Sequence, residues 1–169
     1  TIDVESELGK GSTFTVTLKH RIADESYYVK KHDEGSGTAS KILEGRNILL
    51  AEDNDLNAEI AEAILERAGL KTERVEDGIQ CVNRIMQMPV GTYDVILMDI
   101  QMPIMNGYEA ARAIRALPNK EVASVPILAV TADAFDEDRQ RALEAGMNGH
   151  LPKPIEVDKL FGVLDTLLD

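Results

Sequence analysis

Four places in this 169-residue chain set side chains suited to one chemistry directly after a short apolar run. Glu52 and Asp53 follow Asn47-Ile48-Leu49-Leu50-Ala51, and Asp99 follows Val95-Ile96-Leu97-Met98. Thr131 follows Pro126-Ile127-Leu128-Ala129-Val130, and Lys153 follows His150-Leu151-Pro152. Three carboxylates gathered on one rim repel one another unless a hard divalent cation with oxygen ligands neutralises them. Magnesium suits such a site, because it takes few protein ligands and keeps several waters. A carboxylate beside that ion, a lysine and a hydroxyl has what phosphoryl transfer to an aspartate needs: a nucleophile, a charge neutraliser and a donor to the phosphoryl oxygens. The blander reading makes Glu52, Asp53 and Asp99 helix caps and solvated loop acids. Their position straight after buried runs argues against it.

The elements that must position these residues alternate regularly. The run at Asn47–Ala51 reads as a strand buried on both faces. Residues 55–68 space Leu56, Ile60 and Ile64 four apart with Ala61, Leu65 and Ala68 alongside, an amphipathic helix capped by Asp55 or Asn54 and stopped at Gly69. Residues 71–75 form a polar, edge-like strand, and Ile79, Val82, Ile85 and Met86 mark a second helix ending before Pro89. Val95–Met98 is the next buried strand, Tyr108, Ala111, Ile114 and Leu117 the next helix, and Pro126–Val130 the fourth strand. A charged helix over 134–145, a brief strand at Gly149-His150-Leu151 and a final helix striped by Val157, Leu160, Phe161, Leu164 and Leu168 complete the pattern. Five βα units with short connections imply a flavodoxin-like, doubly wound α/β fold: a five-stranded parallel sheet, order 2-1-3-4-5, with helices on both faces. Such sheets bind ligands at the carboxyl ends of the strands near the switch point, where all four sets of residues end.

Composition narrows the function classes. The chain carries 18 Lys plus Arg against 30 Asp plus Glu, net −12, with 44% hydrophobic and only 4% aromatic residues. Residues 1–45 hold 6 basic and 8 acidic residues, so the excess of acid lies in residues 46–169. An acidic surface repels phosphate backbones, which argues against direct binding of nucleic acid. No apolar run approaches the roughly 18 residues that span a bilayer, and no basic-then-apolar leader opens the chain. The single cysteine, Cys81, has no internal disulfide partner and offers no thiolate metal site, and no Asn-x-Ser/Thr acceptor occurs. A cytoplasmic setting is expected. Cys81 reads as a small core hydrophobe, and Met86, Met88, Met98 and Met147 as gap fillers or helix-end residues.

Residues 46–169 resemble the receiver domain of two-component signalling systems. The resemblance rests on Leu-Leu-Ala-Glu52-Asp53-Asn54, Asp99-Ile-Gln-Met102-Pro103, Val-Thr131-Ala132 and Leu-Pro-Lys153-Pro154, four motifs in order, each ending its proper strand. It implies that Asp99 is the phosphorylated nucleophile, that Glu52 and Asp53 bind Mg2+ with Asp99, and that the backbone carbonyl of Gln101 completes the protein ligands. Asn106-Gly107 supplies the turn behind them. Thr131 is expected to swing towards the phosphoryl oxygens and Lys153 to pair with them, shifting a pre-existing conformational balance. A cis Lys153–Pro154 bond is also implied. Gln101 flanks the phosphate and is expected to help set its lifetime. The chain departs from the family at His150, where Tyr or Phe is usual. Two readings stay open there: a planar ring that rotates inward as a pH-sensitive switch, or a half-buried histidine with a satisfied hydrogen bond.

Residues 1–20 alternate, with Phe14, Val16 and Leu18 on one face and Thr13, Thr15 and Thr17 on the other, after an earlier strand at Ile2 and Val4. Val4 to Val16 resemble the terminal hairpin of the ATP-binding domain of sensor histidine kinases. Joined through a small-residue and charged linker over 21–45, it implies the C-terminal end of a hybrid sensor histidine kinase, cut from a longer protein, as the missing initiator Met agrees; any membrane anchor of the parent would lie in domains outside this chain. The fragment lacks the kinase machinery. Its partners would be a phosphohistidine donor, either the kinase dimerisation domain or a histidine phosphotransfer protein. The face of the fourth helix, fifth strand and fifth helix leaves room for a homodimer. Gly9-Lys10-Gly11-Ser12-Thr13 is not a phosphate loop, because Gly11 interrupts the required Gly-Lys-Ser/Thr triplet. His20 and His32 sit on no striped helix and read as solvated linker residues. A haloacid-type phosphatase would need a second Asp where Gln101 stands, and a flavodoxin-like FMN protein would meet repulsion from Glu52-Asp53-Asn54-Asp55. The closest alternative is a phosphorylation-independent docking module on the same fold.

Overall fold

The computed structural model describes residues 1–7, 9–17, 43–132 and 136–168. The chain divides into two compact units, residues 1–36 and 37–169. The described residues of the first form an antiparallel hairpin of β1 (Ile2–Glu7) and β2 (Gly11–Val16), with Ile2 opposite Val16 and Glu7 opposite Gly11. The Ser6 and Ser12 hydroxyls meet across it at 2.7 Å. Ile2, Val4, Phe14 and Val16 are all exposed. Leu18, His20, His32 and most of the expected linker lie outside the described residues.

The second unit contains β3 (Asn47–Ala51), α1 (Asp55–Arg67), β4 (Lys71–Val75), α2 (Gly78–Gln87), β5 (Val95–Asp99), α3 (Gly107–Arg115), α4 (Lys120–Ala123), β6 (Ile127–Thr131), α5 (Asp136–Glu144), β7 (Gly149–Pro152) and α6 (Val157–Leu168). The five strands form one parallel sheet in the order β4-β3-β5-β6-β7, the doubly wound order that the alternation implies. Every residue of β5 and β6 is buried, whereas β4 at the edge is polar and half-exposed, so the apolar runs and the polar run each sit where their composition demands. Packing begins ahead of β3, with Leu43 fully buried and the Gly45 N–H donating to the Gly69 carbonyl.

Each face of the sheet has its own core. Leu49, Ile96, Met98 and Ile127 pack against Cys81, Ile85, Ala110, Ala111, Ile114 and Ala142 from α2, α3 and α5. Ile48, Leu50, Leu97 and Leu128 pack on the other face against Ala58, Ala61 and Leu65 of α1 and Leu160, Phe161 and Leu164 of α6. Burying one such aliphatic side chain contributes about 1.5–3 kcal/mol, so the two layers carry most of the driving force. Cys81, Met98 and Met147 are core residues, whereas Met86 is exposed.

Two local readings are corrected. The helix α1 turns Ala58, Ala61 and Leu65 inward, while Leu56 and Ile60, expected on its apolar stripe, stay 64% and 51% exposed. The rest of the expected stripe does face the core, with Ala61 and Leu65 buried and Ile64 and Ala68 packed against it, so the apolar row is broken only in the first half of the helix. A one-turn helix, α4, also interrupts the connection before β6, capped by the Asn119 side chain on the Glu121 N–H. Among the described residues, no helix is long and apolar enough to cross a membrane.

Candidate functional site

The carboxyl ends of β3, β5, β6 and β7 bring the predicted residues to one rim. Glu52 is the first residue beyond β3, and its N–H makes the last rung to the Val75 carbonyl. Asp99 and Thr131 are the final residues of β5 and β6. Lys153 follows β7, held by its own N–H donating to the Thr131 carbonyl at 2.7 Å, and the Lys153–Pro154 bond is cis. Glu52, Asp99 and Thr131 are buried and Asp53 is exposed.

Carboxylate oxygens of Glu52, Asp53 and Asp99 lie within 4.8 Å of one another. The Lys153 ammonium bridges two of these acids, at 2.7 Å from Glu52 Oε2 and 2.8 Å from Asp99 Oδ2. Asp99 Oδ1 accepts from the Gln101 N–H at 3.1 Å. Burial raises the Asp99 carboxyl above its ordinary range; the Lys153 bond lowers it, but the nearby Glu52 charge adds to the burial and the net shift is upward. Burial opposes the charged form of Lys153, but hydrogen bonds to Asp99 and Glu52 outweigh that and raise it. Three carboxylates against one ammonium leave surplus negative charge on a rim of hard oxygen donors, one acid being open to solvent. That donor set fits Mg2+.

The loop after β5 is fixed by close approach. The Gly107 N–H donates to the Ile100 carbonyl at 3.0 Å, and a Cβ at Gly107 would run into the Asp99 carbonyl oxygen. Asn106 caps α3 in a reciprocal box with Glu109, anchoring the far side of the same loop. His150 is half-buried on β7, registered against Ala129, and lines a cavity of about 300 Å3 with Arg139, Leu143 and Val163.

Two neighbours of the acids were not picked out from sequence. Asn57, in the first turn of α1, donates from Nδ2 to Glu52 Oε1 at 3.0 Å, so Glu52 is held from both sides. Its position four residues after Asp53, on a helix starting at the rim, is a signal that could have found it. Arg74 on β4 donates to the carbonyl oxygens of Glu52 and Asp53. That contact joins residues more than 20 apart, and nothing local marks it.

The response regulator receiver domain model matches residues 48–165. Among solved structures, the receiver domain of a sensor histidine kinase from Pseudomonas aeruginosa PAO1, crystallised with a magnesium ion coordinated in its active site cleft, is 42% identical with a TM-score of 0.66, covering 73% of this chain and 98% of that one. The receiver domain of a signal transduction histidine kinase from Syntrophus aciditrophicus is 30% identical with a TM-score of 0.64, covering 73% and 90%. Among curated proteins, a probable histidine kinase 4 of Oryza sativa is 37% identical over 145 residues, and the signal transduction histidine-protein kinase BarA of Escherichia coli K12 is 39% identical over 117. These matches take in 75% and 69% of this chain but only 14% and 12% of the two kinases. A buried aspartate, its acidic neighbours and a bridging lysine at the ends of a 2-1-3-4-5 sheet thus coincide with the family match: the chain belongs to the response regulator receiver domain family and is homologous to the receiver domains of hybrid sensor histidine kinases.

Proposed function

We propose that this chain is a phosphoacceptor switch in a phosphorelay, with Asp99 as the residue that takes the phosphoryl group from a phosphohistidine. The observation that carries the reading is the placement of Asp99: buried, within 4.8 Å of Glu52 and Asp53 oxygens, and bonded to Lys153 at 2.8 Å. In the transfer, an Asp99 carboxylate oxygen bonds to phosphorus as the phosphorus–nitrogen bond to the donor histidine breaks, and the electron pair leaves with the imidazole. Glu52, Asp53 and Asp99, with the Gln101 carbonyl, would hold the Mg2+. The bound ion supplies positive charge to the phosphoryl oxygens. Lys153 supplies a second, fixed positive charge, and the Thr131 hydroxyl donates to the same oxygens. Water later cleaves the acyl phosphate and restores the carboxylate.

Phosphorylation then shifts the balance between two arrangements of Thr131 and His150, and the face of α5, β7 and α6 reports the state to a partner, a second copy of the receiver included. The donor is the dimerisation domain of a histidine kinase or a histidine phosphotransfer protein. Residues 1–20 are read as the end of a kinase ATP-binding domain, 21–45 as the linker and 46–169 as the receiver, the whole belonging to a cytoplasmic part of a hybrid kinase.

The test is intact-mass measurement after incubation with acetyl phosphate, with and without Mg2+, for wild type and Asp99→Asn. Wild type gains the mass of one phosphate only with Mg2+, and the variant gains none. Failure of wild type to gain phosphate or to bind beryllofluoride would leave a docking module that works without phosphorylation.

A further inference from the structure

We infer that Arg74 is a positioning residue for the acidic pair: its guanidinium clamps the backbone of Glu52 and Asp53, so that their carboxylates are set for the cation before it arrives. The inference rests on the reading that Glu52, Asp53 and Asp99 hold Mg2+. In the parallel register Arg74 stands beside Leu50, whose side chain packs in the layer shared with α1. Neighbours in register point to the same face, so Arg74 leaves the sheet edge on the α1 side and reaches over the end of β3. Its Nε donates to the Glu52 carbonyl at 3.0 Å and its Nη2 to the Asp53 carbonyl at 3.2 Å. A third contact, Nη1 to Asp55 Oδ1 at 2.8 Å, closes the fork on the next acid along.

The ladder between β3 and β4 makes its last rung at the Glu52 N–H, where the chain turns from strand towards helix. Beyond that rung Arg74 takes the two carbonyls that belong to the ligand-bearing residues themselves. Asp55 is 86% exposed, so its ion pair is screened and adds little; the directed bonds to the carbonyls carry the effect. A planar guanidinium spans both acceptors with rigid geometry, which a lysine ammonium does not reproduce. Partners just outside a metal site that orient its ligands typically affect affinity by 10–100-fold when lost. Arg74 acts through backbone rather than through the carboxylates, which places it at the low end of that range.

Charge and geometry make opposite predictions here. If Arg74 acted mainly as a nearby positive charge, removing it would strengthen Mg2+ binding and Arg74→Lys would change nothing. A clamp instead requires both Arg74→Gln and Arg74→Lys to weaken binding, by roughly tenfold. Calorimetric titration of MgCl2 into the unphosphorylated protein reads this directly, with amide NMR signals of residues 52–57 reporting whether the loop loses its single conformation. Arg84→Gln is the structural control, since it breaks the pair with Glu73 on the same edge strand without touching the acids; it should leave Mg2+ affinity unchanged. Equal or tighter binding by Arg74→Gln, or unchanged binding by Arg74→Lys, would overturn the clamp while leaving the Mg2+ site intact. Failure of wild type to bind Mg2+ would overturn the reading of the site and the clamp with it.

Discussion

Lys153 and Asp99 are bonded at 2.8 Å, and the same ammonium reaches Glu52 at 2.7 Å, so one positive charge is divided between two buried carboxylates. The arrangement brings partners 101 and 54 positions away in the sequence together at a single nitrogen. It holds the site closed on itself in a form that a divalent cation can relieve, because the acids remain in excess.

Lys153→Met should therefore destabilise the protein without Mg2+ by about 2–3 kcal/mol, less than for a fully buried pair because Lys153 keeps 21% of its side chain exposed. Adding Mg2+ should then raise the melting temperature of the variant by more than it raises that of wild type. Thermal melts of both proteins with and without MgCl2 measure this; a variant that melts with wild type in the absence of Mg2+ would remove the lysine bridge from the energetics.

Asp99 makes the stability depend on pH in a definite direction. Its carboxyl is raised by burial, with the Lys153 bond insufficient to reverse the shift once the Glu52 charge is added. A group that holds its proton more tightly in the fold contributes stability that is fully present below its unfolded pKa and lost as pH rises through the folded one. Without Mg2+, wild type should lose stability relative to Asp99→Asn as pH climbs from the ordinary carboxylate range through the raised value. Lys153, also raised, adds stability that is lost only as pH rises above the usual lysine range. Urea midpoints against pH for wild type and Asp99→Asn provide the comparison, and parallel profiles would contradict it.

The parts of this fold legible in the sequence are those where one residue type admits one environment. The apolar runs of β5 and β6 fit only the middle of a doubly covered sheet, and an acid or hydroxyl straight after such a run must emerge at its carboxyl end. The inward face of α1 was legible only in part: Ala61 and Leu65 are buried and Ile64 and Ala68 pack on the core as the spacing implies, but Leu56 and Ile60, in the same row as Ile64, are exposed while Ala58 is buried, and both rows repeat with a helical period. Choosing between them depends on how close the helix must come to the sheet, which periodicity does not encode. Arg74 was invisible for a different reason: its partners are backbone carbonyls brought near by strand pairing, and carbonyls have no sequence signature.

The two faces of α1 can be told apart by substitution. Leu65 is fully buried and Leu65→Ala should cost about 2–5 kcal/mol. Leu56→Gln and Ile60→Gln, on the exposed row, should each fall within about 0.5 kcal/mol of wild type. Urea denaturation of the three variants decides it, and a large loss at Leu56 or Ile60 would return the helix to the orientation its larger residues suggest.

Gly107 and Gly162 offer one chemical change with opposite outcomes. At Gly107 an added Cβ would run into the Asp99 carbonyl oxygen and come within 3.0 Å of the Ile100 Cα, both backbone atoms that move only if the loop after β5 moves. The backbone angle at Gly107 is not the obstacle, since Gly107 is not among the residues with positive φ. Gly107→Ala should cost about 1–3 kcal/mol, as overpacking does, and should slow phosphate gain from acetyl phosphate because the displaced carbonyl belongs to Asp99 itself. Gly162 lies in the interior of α6 and an added Cβ meets nothing within 4 Å. There the same methyl only restricts the unfolded chain and favours the helix, so Gly162→Ala should stabilise by about 0.5–1 kcal/mol and leave phosphate gain unchanged. Denaturation midpoints and the mass assay on both variants test the pair. If Gly107→Ala were as benign as Gly162→Ala, the close approach between α3 and the end of β5 would not constrain Asp99.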